Sequence, residues 1–374
     1  MVQSEVNILK GINKNFLKQK LILINGRFIS QPITGVQRFA REVISAIVKI
    51  EKDKFIFIIA IQGHNVTSHI QGIEPYNDDS FLPTSLWQQI RLPFLMKKLK
   101  ADLLWSPCNV GPLFAQNHVI SIHDTAAFAG PEWFSLLFGI YYRSVFPLLG
   151  QRAVKVITPS LFSKREIVRH GIAGEEKITV IPGGVSPLFT RKESTPYTHP
   201  YLLTVGSINP RKNISKLIAA WSRIPGHIKN DRKMIITGGG AASYPSEDFG
   251  EIPDDITFTG YITDKDLPSL YSGADAFVFP SLYEGFGLPP LEAMACGCPV
   301  ITSNLSSMPE VCGNAAYYID PHSTESLTDG IIKVLTDRDL REGLIQKGLE
   351  RAKLFTWKRS AEEHIKVFNE VLNC

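Results

Sequence analysis

The chain has 374 residues, too many for one ordinary hydrophobic core, and this length predicts two domains of about 180 residues each. A composition of 44% hydrophobic and 20% charged residues excludes large-scale disorder. The net charge of +4 is uneven, because residues 1–195 carry 23 Lys and Arg against 14 Asp and Glu (+9), whereas residues 196–374 carry 17 against 22 (−5). The basic half predicts contact with an anionic partner, with surface solvation as the alternative, and no aromatic-basic stripe supports nucleic acid binding.

Neither the first residues nor the cysteines indicate export. Residues 1–20 have no continuous apolar core and are predicted to be an N-terminal extension rather than a signal peptide. The five cysteines, at positions 108, 296, 298, 312 and 374, show no metal-ligand or disulfide spacing, which predicts reduced thiols in a cytoplasmic protein. The most apolar segment is residues 133–150, but Arg143 and Pro147 interrupt it and it is too short to span a bilayer. We predict a buried or half-buried helix there, with a helix in the membrane interface as the alternative.

Apolar runs alternate with amphipathic stretches along the chain, which is typical of α/β domains with parallel sheets. The runs of the first half are residues 21–26, 55–61, 102–107, 118–124, 154–160 and 178–184. A polar, proline-bearing break at 191–200 predicts a linker between a first domain of residues 21–190 and a second of residues 201–355. The runs of the second half are residues 201–207, 233–240, 256–261, 276–281, 299–304 and 315–320. Residues 356–374 have apolar side chains at helical spacing, which predicts a C-terminal helix.

The most informative segment is residues 281–301, SLYEGFGLPPLEAMACGCPVI. A buried strand leads into a loop at Glu284, and prolines occupy the first turn of the next helix, where no amide hydrogen is required. The backbone amides of residues 285–288 therefore point away from the positive end of the helix, and two glycines leave this anion site open to a ligand. With Glu284 and Glu292 on either side, the site suits a ligand with phosphates and hydroxyls, such as a sugar nucleotide. The helix dipole alone is an alternative explanation of Glu292.

Other charged residues follow predicted strands. Arg211 and Lys212 occupy a strand-to-helix loop, where charge-assisted hydrogen bonds can hold a diphosphate, and Asn213 is predicted to cap the next helix. A solvated basic loop is the alternative. His123 and Asp124 leave the end of another strand, where a structural role and a functional one are both open.

Two other kinds of site are disfavoured. Asp264 and Asp266 form an Asp-x-Asp triplet, a pattern that binds divalent metals in some enzymes, but we predict a helix start capped by Thr263 or Asp264. The histidines and cysteines show no ligand clustering, so no metal is expected. No G-x-G-x-x-G follows the first strand and no Walker A loop occurs, which counts against a nicotinamide-dependent oxidoreductase.

The pattern of Glu284, seven residues and Glu292, with glycines and prolines between, resembles the donor-binding signature of the retaining glycosyltransferases of family 4. Residues 25–47, 205–213 and 304–321 are similar to other segments of that family, and the resemblance extends in the right order from about residue 21 to 370. It implies a GT-B architecture, in which two Rossmann-like α/β domains with parallel sheets face a central cleft. It also implies that the C-terminal helix returns to the first domain.

The resemblance assigns the site residue by residue. It implies catalytic roles for Glu284, His123, Arg211 and Lys212, and donor-binding roles for Gly35, Gly285, Phe286, Gly287, Leu288, Glu292 and Asp124. In this assignment Glu292 accepts hydrogen bonds from the ribose, Glu284 contacts the transferred sugar, and the two cations stabilise the departing diphosphate. Ser306 and Ser307 either border the phosphate site or form a turn. No cofactor and no metal are expected.

The implied reaction is the retaining transfer of a hexose from a nucleotide diphosphate sugar to a glycan or lipid-diphosphate-linked oligosaccharide in polysaccharide or lipopolysaccharide biosynthesis. TGVQRFARE (34–42) and HDTAAFAGPEWF (123–134) look like bacterial mannosyl- or rhamnosyltransferases, which favours GDP-mannose over UDP-glucose as donor. The enzyme is expected in the cytoplasm, with peripheral contact at the anionic inner face of the cell membrane. The alternatives are a non-catalytic nucleotide-sugar-binding scaffold of the same fold and a nucleotide-sugar epimerase.

Overall fold

The structure of the protein is a computed structural model that describes residues 19–31, 33–51, 53–63, 66, 70–239 and 249–374. The predicted N-terminal extension lies outside the described residues apart from residues 19 and 20. Two sheets organise the described chain, and every strand pair in both sheets is parallel.

The first sheet has seven strands in the order β3-β2-β1-β4-β5-β6-β7. Its strands are β1 Lys20–Asn25, β2 Phe55–Gln62, β3 Glu74–Asp78, β4 Leu103–Ser106, β5 His118–Ser121, β6 Lys155–Thr158 and β7 Ile178–Val180. The helices between them are α1 Gly35–Ile50, α2 Thr84–Lys98, α3 Ala126–Ala129, α4 Leu136–Arg152 and α5 Leu161–Arg169.

The second sheet has six strands in the order β10-β9-β8-β11-β12-β13. Its strands are β8 Tyr201–Val205, β9 Lys233–Thr237, β10 Ile256–Gly260, β11 Ala276–Phe279, β12 Val300–Ser303 and β13 Ala316–Ile319. The remaining helices are α6 Ile214–Ser222, α7 Gly226–Lys229, α8 Leu267–Gly273, α9 Leu288–Ala295, α10 Met308–Cys312, α11 Thr324–Thr336, α12 Arg338–Lys353 and α13 Trp357–Leu372. Counted from β8, the order is third, second, first, fourth, fifth and sixth, which is the strand order of a Rossmann sheet.

Each predicted apolar run contains a strand. Apolar runs mark these strands because helices cover both faces of a parallel sheet, so that side chains on both faces are buried. β4 and β11, for example, are buried along their whole lengths. β3 was not predicted, because its residues EPYND contain no apolar run. This strand lies at the edge of the sheet, and it owes its conformation to pairing with β2 rather than to its own side chains.

In both sheets the order in which the chain adds strands reverses at an equivalent place. β1 lies between β2 and β4, and β8 lies between β9 and β11, so a crevice opens at the carboxyl ends of β1 and β4 and of β8 and β11. The loops that follow β8 and β11 contain the two cations and the signature glutamate that the sequence singled out. Topology therefore brings two distant segments of the second half to one edge.

The C-terminal helix α13 packs against the first sheet's elements. The ring of Phe368 lies 5.3 Å from that of Trp105 in β4, and Trp357 lies 5.2 Å from Phe39 in α1. Glu370 forms an ion pair of 2.6 Å with Lys155 in β6. The chain thus crosses back from the second half to the first, in the arrangement that the family resemblance implies.

Residues 133–150 form most of α4, which is half-buried: Gly139, Phe146, Leu149 and Gly150 are inside and much of the remaining apolar surface is exposed. None of the described helices combines the length and the apolar character that crossing a bilayer requires.

Candidate active site

A cleft of about 930 Å³ lies between the two sheets. Its walls include all eleven residues that the sequence singled out as catalytic or donor-binding, namely Gly35, His123, Asp124, Arg211, Lys212, Glu284, Gly285, Phe286, Gly287, Leu288 and Glu292. They come from both halves of the chain and from four segments: the start of α1, the loop after β5, the loop after β8, and the loop after β11 with α9. The fold thus places them where one ligand can meet them together.

Glu284 binds both cations of the loop after β8. Its Oε1 lies 2.5 Å from Lys212 Nζ, and its Oε2 lies 3.1 Å from an Nη of Arg211. The same Arg211 nitrogen also donates to the carbonyl of Tyr283 at 2.7 Å. All three charged side chains are buried, so the carboxylate fixes the position of two cations that would otherwise be costly to bury.

The environment shifts the proton equilibria of this cluster. Burial lowers the pKa of Lys212 and by itself would raise that of Glu284, but Arg211 and Lys212 hold the pKa of Glu284 below its ordinary value. Glu284 is therefore ionised at neutral pH and acts as an acceptor for its two partners.

The loop after Glu284 is held by hydroxyls from both halves of the chain. Ser307 donates to the carbonyls of Glu284 and Phe286 at 2.9 and 2.8 Å, while Ser160 of the first half donates to the Gly285 carbonyl at 2.6 Å. Among the described residues, no acceptor lies within bonding distance of the amides of residues 285–287. The prediction that the amides of residues 285–288 bind an anion stays a prediction, and Ser307 holds the loop through its hydrogen bonds.

Packing and backbone conformation favour glycine at both positions of the loop. A Cβ on Gly285 would lie 2.0 Å from the carbonyl oxygen of His123, so this glycine admits the backbone of the first half. Gly287 has φ of +109°, a conformation that favours glycine, and a Cβ there would collide with Met308. Packing and backbone geometry thus already require both glycines, and the close approach of a ligand to this backbone stays a prediction.

The carboxylate of Glu292 forms an ion pair with Arg38, to which no role was assigned from the sequence. Arg38 of α1 donates from Nη1 to Glu292 Oε1 at 2.7 Å, and its Nη2 contacts Asp264. The hydroxyl of Tyr271 donates to the other oxygen, Oε2, at 3.2 Å. Burial raises the pKa of Glu292, and Arg38 opposes this shift. An arginine of the first half thus crosses the cleft to the carboxylate that the resemblance assigns to a ribose.

His123 is buried and neutral. Its Nε2 lies 2.8 Å from the carbonyl of Pro107, which requires the proton to be on Nε2, and burial lowers its pKa. Nδ1 then carries no proton and can accept a hydrogen bond. Asp124 accepts from the amide of Ala126 at 3.1 Å, which positions its carboxylate at the start of α3.

The capping predictions for two helices were wrong. α8 begins at Leu267, so Asp266 rather than Thr263 or Asp264 precedes it, and the side chain of Asp266 accepts from the Thr263 hydroxyl. Asn213 precedes α6 but does not cap it, since it has φ of +61° and donates to the carbonyls of Pro280 and Pro321. Within the described ranges, no group of three or more His, Cys, Asp or Glu is arranged to hold a metal ion.

Two family profiles match consecutive parts of the chain: Glycosyltransferase Family 4 over residues 33–187 and Glycosyl transferases group 1 over residues 187–351. The O-antigen chain mannosyltransferase RfbU of Salmonella typhimurium is 32% identical over 258 residues, which cover 66% of this chain and 68% of that protein. The chain belongs to glycosyltransferase family 4. It is therefore a glycosyltransferase, and the family resemblance drawn from Glu284 and Glu292 is confirmed.

Further comparisons extend over almost the whole chain. The O-antigen chain mannosyltransferase B of Escherichia coli is 28% identical over 374 residues, covering 91% of this chain and 97% of that protein. The solved structure of sucrose-phosphate synthase from Thermosynechococcus elongatus superposes with a TM-score of 0.76 at 19% identity, covering 95% of this chain and 99% of that one. The predicted GT-B fold is thus confirmed.

Proposed function

We propose that this glycosyltransferase moves a hexose, with mannose favoured, from a nucleotide diphosphate sugar to a glycan or lipid-linked oligosaccharide, with retention of anomeric configuration and without a metal ion. The observation that carries the proposal is the placement of two buried cations, on one carboxylate, beside the amides of residues 285–287 at a switch point of the sheet. Both O-antigen mannosyltransferase relatives support mannose as the sugar and surface polysaccharide as the product.

In the proposed reaction the chain supplies electrostatic stabilisation rather than a nucleophile. The bond from C1 of the sugar to the diphosphate breaks, the acceptor oxygen bonds to C1 on the same face, and the acceptor proton passes to the leaving phosphate. Lys212 offers three N–H donors and its contact with Glu284 uses one, so the others can bind the leaving group. Arg211 is held beside it by the same carboxylate.

The cations also take the place that a divalent metal has in other transferases. Asp264 is engaged by Arg38 and Asp266 by Thr263, which disfavours the Asp-x-Asp triplet as a metal site. Activity is accordingly expected to survive EDTA. Loss of activity that manganese or magnesium restores would contradict metal independence.

The first test is a thermal-shift panel with GDP-mannose, UDP-glucose, UDP-N-acetylglucosamine, GDP, UDP and NAD, with and without EDTA. A ligand at a hundred times its dissociation constant adds about 2.7 kcal/mol of apparent stability, which such a panel detects. We expect one nucleotide series to shift the melting temperature and NAD to have no effect. No shift with any nucleotide would favour the non-catalytic scaffold.

Product analysis then tests the reaction itself. With the donor that binds, NMR of the product anomeric proton should show the configuration of the donor. An inverted product would refute retention, and conversion of the donor sugar without any acceptor would favour an epimerase.

A further inference from the structure

The start of helix α5, in the first half of the chain, is bound by a carboxylate of the second half. The amides of Leu161 and Phe162 donate to the two carboxylate oxygens of Glu310 in α10, at 2.7 and 3.1 Å. The next amide, that of Ser163, donates to the hydroxyl of the N-cap residue Ser160 at 3.0 Å. The first amides of a helix have no partner within it, and a carboxylate is favourable at this positive end. Glu310 therefore holds α5 against the second half.

Two hydroxyls of the same helix turn bind one carbonyl in the loop of residues 284–287. Ser160 donates to the Gly285 carbonyl at 2.6 Å, and Ser163 Oγ lies 3.0 Å from the same oxygen. Ser163 Oγ also lies 3.2 Å from the carbonyl oxygen of His123, and both serines are fully buried. One turn of α5 thus connects the loop after β5 with the loop after β11.

Helix capping explains only part of this arrangement. A serine at the N-cap, as at Ser160, is favoured in any helix. Ser163 has no such role, since its hydroxyl is directed at carbonyls outside the helix. A carbonyl oxygen has two lone pairs, and two donors that use both restrict the direction in which it points. The second serine therefore fixes the orientation of the Gly285 carbonyl, which Ser160 alone would already satisfy.

The orientation of this carbonyl determines that of an amide. A peptide unit is planar and trans, so the amide of Phe286 points away from the side on which the Gly285 carbonyl is held. Ser307 acts in the same way on the two neighbouring peptides, because it binds the carbonyls of Glu284 and Phe286. Three consecutive peptides are thus held through their oxygens, with the first-half hydroxyls on the middle one.

We propose that Ser160, Ser163 and Glu310 are positioning residues for the transfer reaction, which hold the Gly285–Phe286 peptide so that its amide binds the outer phosphate of the donor diphosphate. The inference rests on the proposed function, because it specifies how the donor site of that reaction is assembled. The two serines act through the peptide, and Glu310 acts through α5. Since α5 belongs to the first half and the peptide to the second, this part of the donor site is complete only when the halves are in contact.

The choice of the outer phosphate follows from the position of the peptide along the loop. The peptide adjoins Glu284, whose carboxylate binds the cations Arg211 and Lys212. Glu292, to which the ribose is assigned, lies beyond the other end of the loop, in α9. A nucleoside monophosphate would therefore reach Glu292 without needing this amide, whereas a diphosphate would use it.

The test measures the Kd of GDP, UDP, GMP and UMP by isothermal titration calorimetry. Ser160→Gly combined with Ser163→Ala removes both hydroxyls from the carbonyl, and glycine at the N-cap retains most of the capping stability. We expect this double variant to bind the preferred diphosphate about tenfold more weakly, the effect of about one hydrogen bond to a charged group. The matching monophosphate should bind as it does to the wild type. Each single variant leaves one hydroxyl on the carbonyl and should keep the wild-type Kd, so the two substitutions should be non-additive.

Ser323→Gly combined with Ser326→Ala is the matched control. These serines occupy the same two positions at the start of α11, where Ser323 Oγ accepts from the Ser326 amide at 3.1 Å. They belong to the second half, and the described residues that line the cleft do not include them. We expect wild-type Kd values for all four nucleotides.

Glu310→Ala tests the same proposal without altering either serine. It removes both bonds from the start of α5 to the second half and should weaken the preferred diphosphate but not the monophosphate. Glu325→Ala, at an exposed position in the first turn of α11, is its control and should bind both as the wild type does. This pair carries the comparison if the double serine variant does not fold.

Two results would overturn the proposal. Wild-type binding of the diphosphate by the double serine variant and by Glu310→Ala would show that the peptide needs neither the hydroxyls nor the carboxylate. Equal weakening of diphosphate and monophosphate would indicate general damage to the cleft rather than a change at one peptide.

Failure of the proposed function gives a different result. If the wild type binds no nucleotide, the donor assignment fails, and hydrogen–deuterium exchange of the ligand-free protein then tests the docking of α5. Exchange at Leu161 and Phe162 should be faster in Glu310→Ala, and equal exchange would refute the role of Glu310. If the wild type binds GDP or UDP and the variants bind it equally, only the positioning roles fail.

Discussion

Replacing Arg38 by methionine should tighten nucleotide binding. Arg38 and Tyr271 occupy the two oxygens of Glu292, so a ribose that binds this carboxylate must displace the arginine. A hydrogen bond to a charged group contributes about 1.5–3 kcal/mol. At the lower end, removing this competitor would decrease the Kd of a nucleoside diphosphate about tenfold.

The same substitution should destabilise the ligand-free protein. The side chains of Arg38 and Glu292 are 17% and 3% exposed, so the ion pair that joins the two halves is largely buried. Removing one partner of a buried pair costs about 3–5 kcal/mol, because the other charge stays buried without its counter-ion. The expected signature is a lower melting temperature together with tighter nucleotide binding, which a merely damaged site would not show.

Calorimetric titration of GDP and UDP into the wild type and the variant measures the effect. Arg41→Met is the matched control, since Arg41 lies one turn further along α1 and its guanidinium donates to the carbonyl of Ile29. We expect its nucleotide Kd to equal that of the wild type. Weaker binding by Arg38→Met, with Arg41→Met unchanged, would refute the reasoning and would make Arg38 a direct donor ligand.

Three further predictions concern the buried charges. Glu284→Gln removes the carboxylate that pairs with Lys212 and should lower the free energy of unfolding in urea by about 3–5 kcal/mol. A loss below about 1 kcal/mol would show that the two cations do not need this anion. Arg211→Ala should raise the barrier of transfer by about 2 kcal/mol, or about thirtyfold in turnover, and unchanged kinetics in a folded variant would remove it from the site. Burial lowers the pKa of His118 and His364 to about 4, against about 6.5 when unfolded. These histidines therefore do not reduce the free energy of unfolding above pH 6.5, but they reduce it as the pH falls from 6.5 to 4, because only the unfolded chain binds their protons in that range. At pH 5 each histidine should lower the free energy of unfolding by about 2 kcal/mol, at about 1.4 kcal/mol per pH unit below 6.5. Urea unfolding at pH 7 and 5 should show a smaller difference in His364→Phe, and an equal difference would exclude this histidine as a cause.

Local sequence was enough to predict most of the fold and the elements of the site. Strands such as β4 and β11 are buried throughout and mostly apolar because both their faces are covered, and that requirement is visible in the residues themselves. The placement of Glu284, Arg211 and Lys212 in strand-to-helix loops followed from the same alternation, since loops at the carboxyl ends of parallel strands converge. The polar β3 was missed because its conformation depends on its neighbour β2.

Contacts between residues far apart in the chain were decided only by the tertiary structure. Nothing near Arg38 indicates that it will pair with Glu292, 254 positions away, and nothing near Gly285 shows that the backbone of His123 needs its missing side chain. Asn213 looked like a helix cap but adopted a left-handed backbone and bonded to two distant carbonyls. Sequence fixes which chemical groups stand at the ends of strands, because periodicity and turn chemistry are local. Which of those groups form ion pairs or hydrogen bonds with one another depends on how the two halves of the chain pack together, and that is visible only in the tertiary structure.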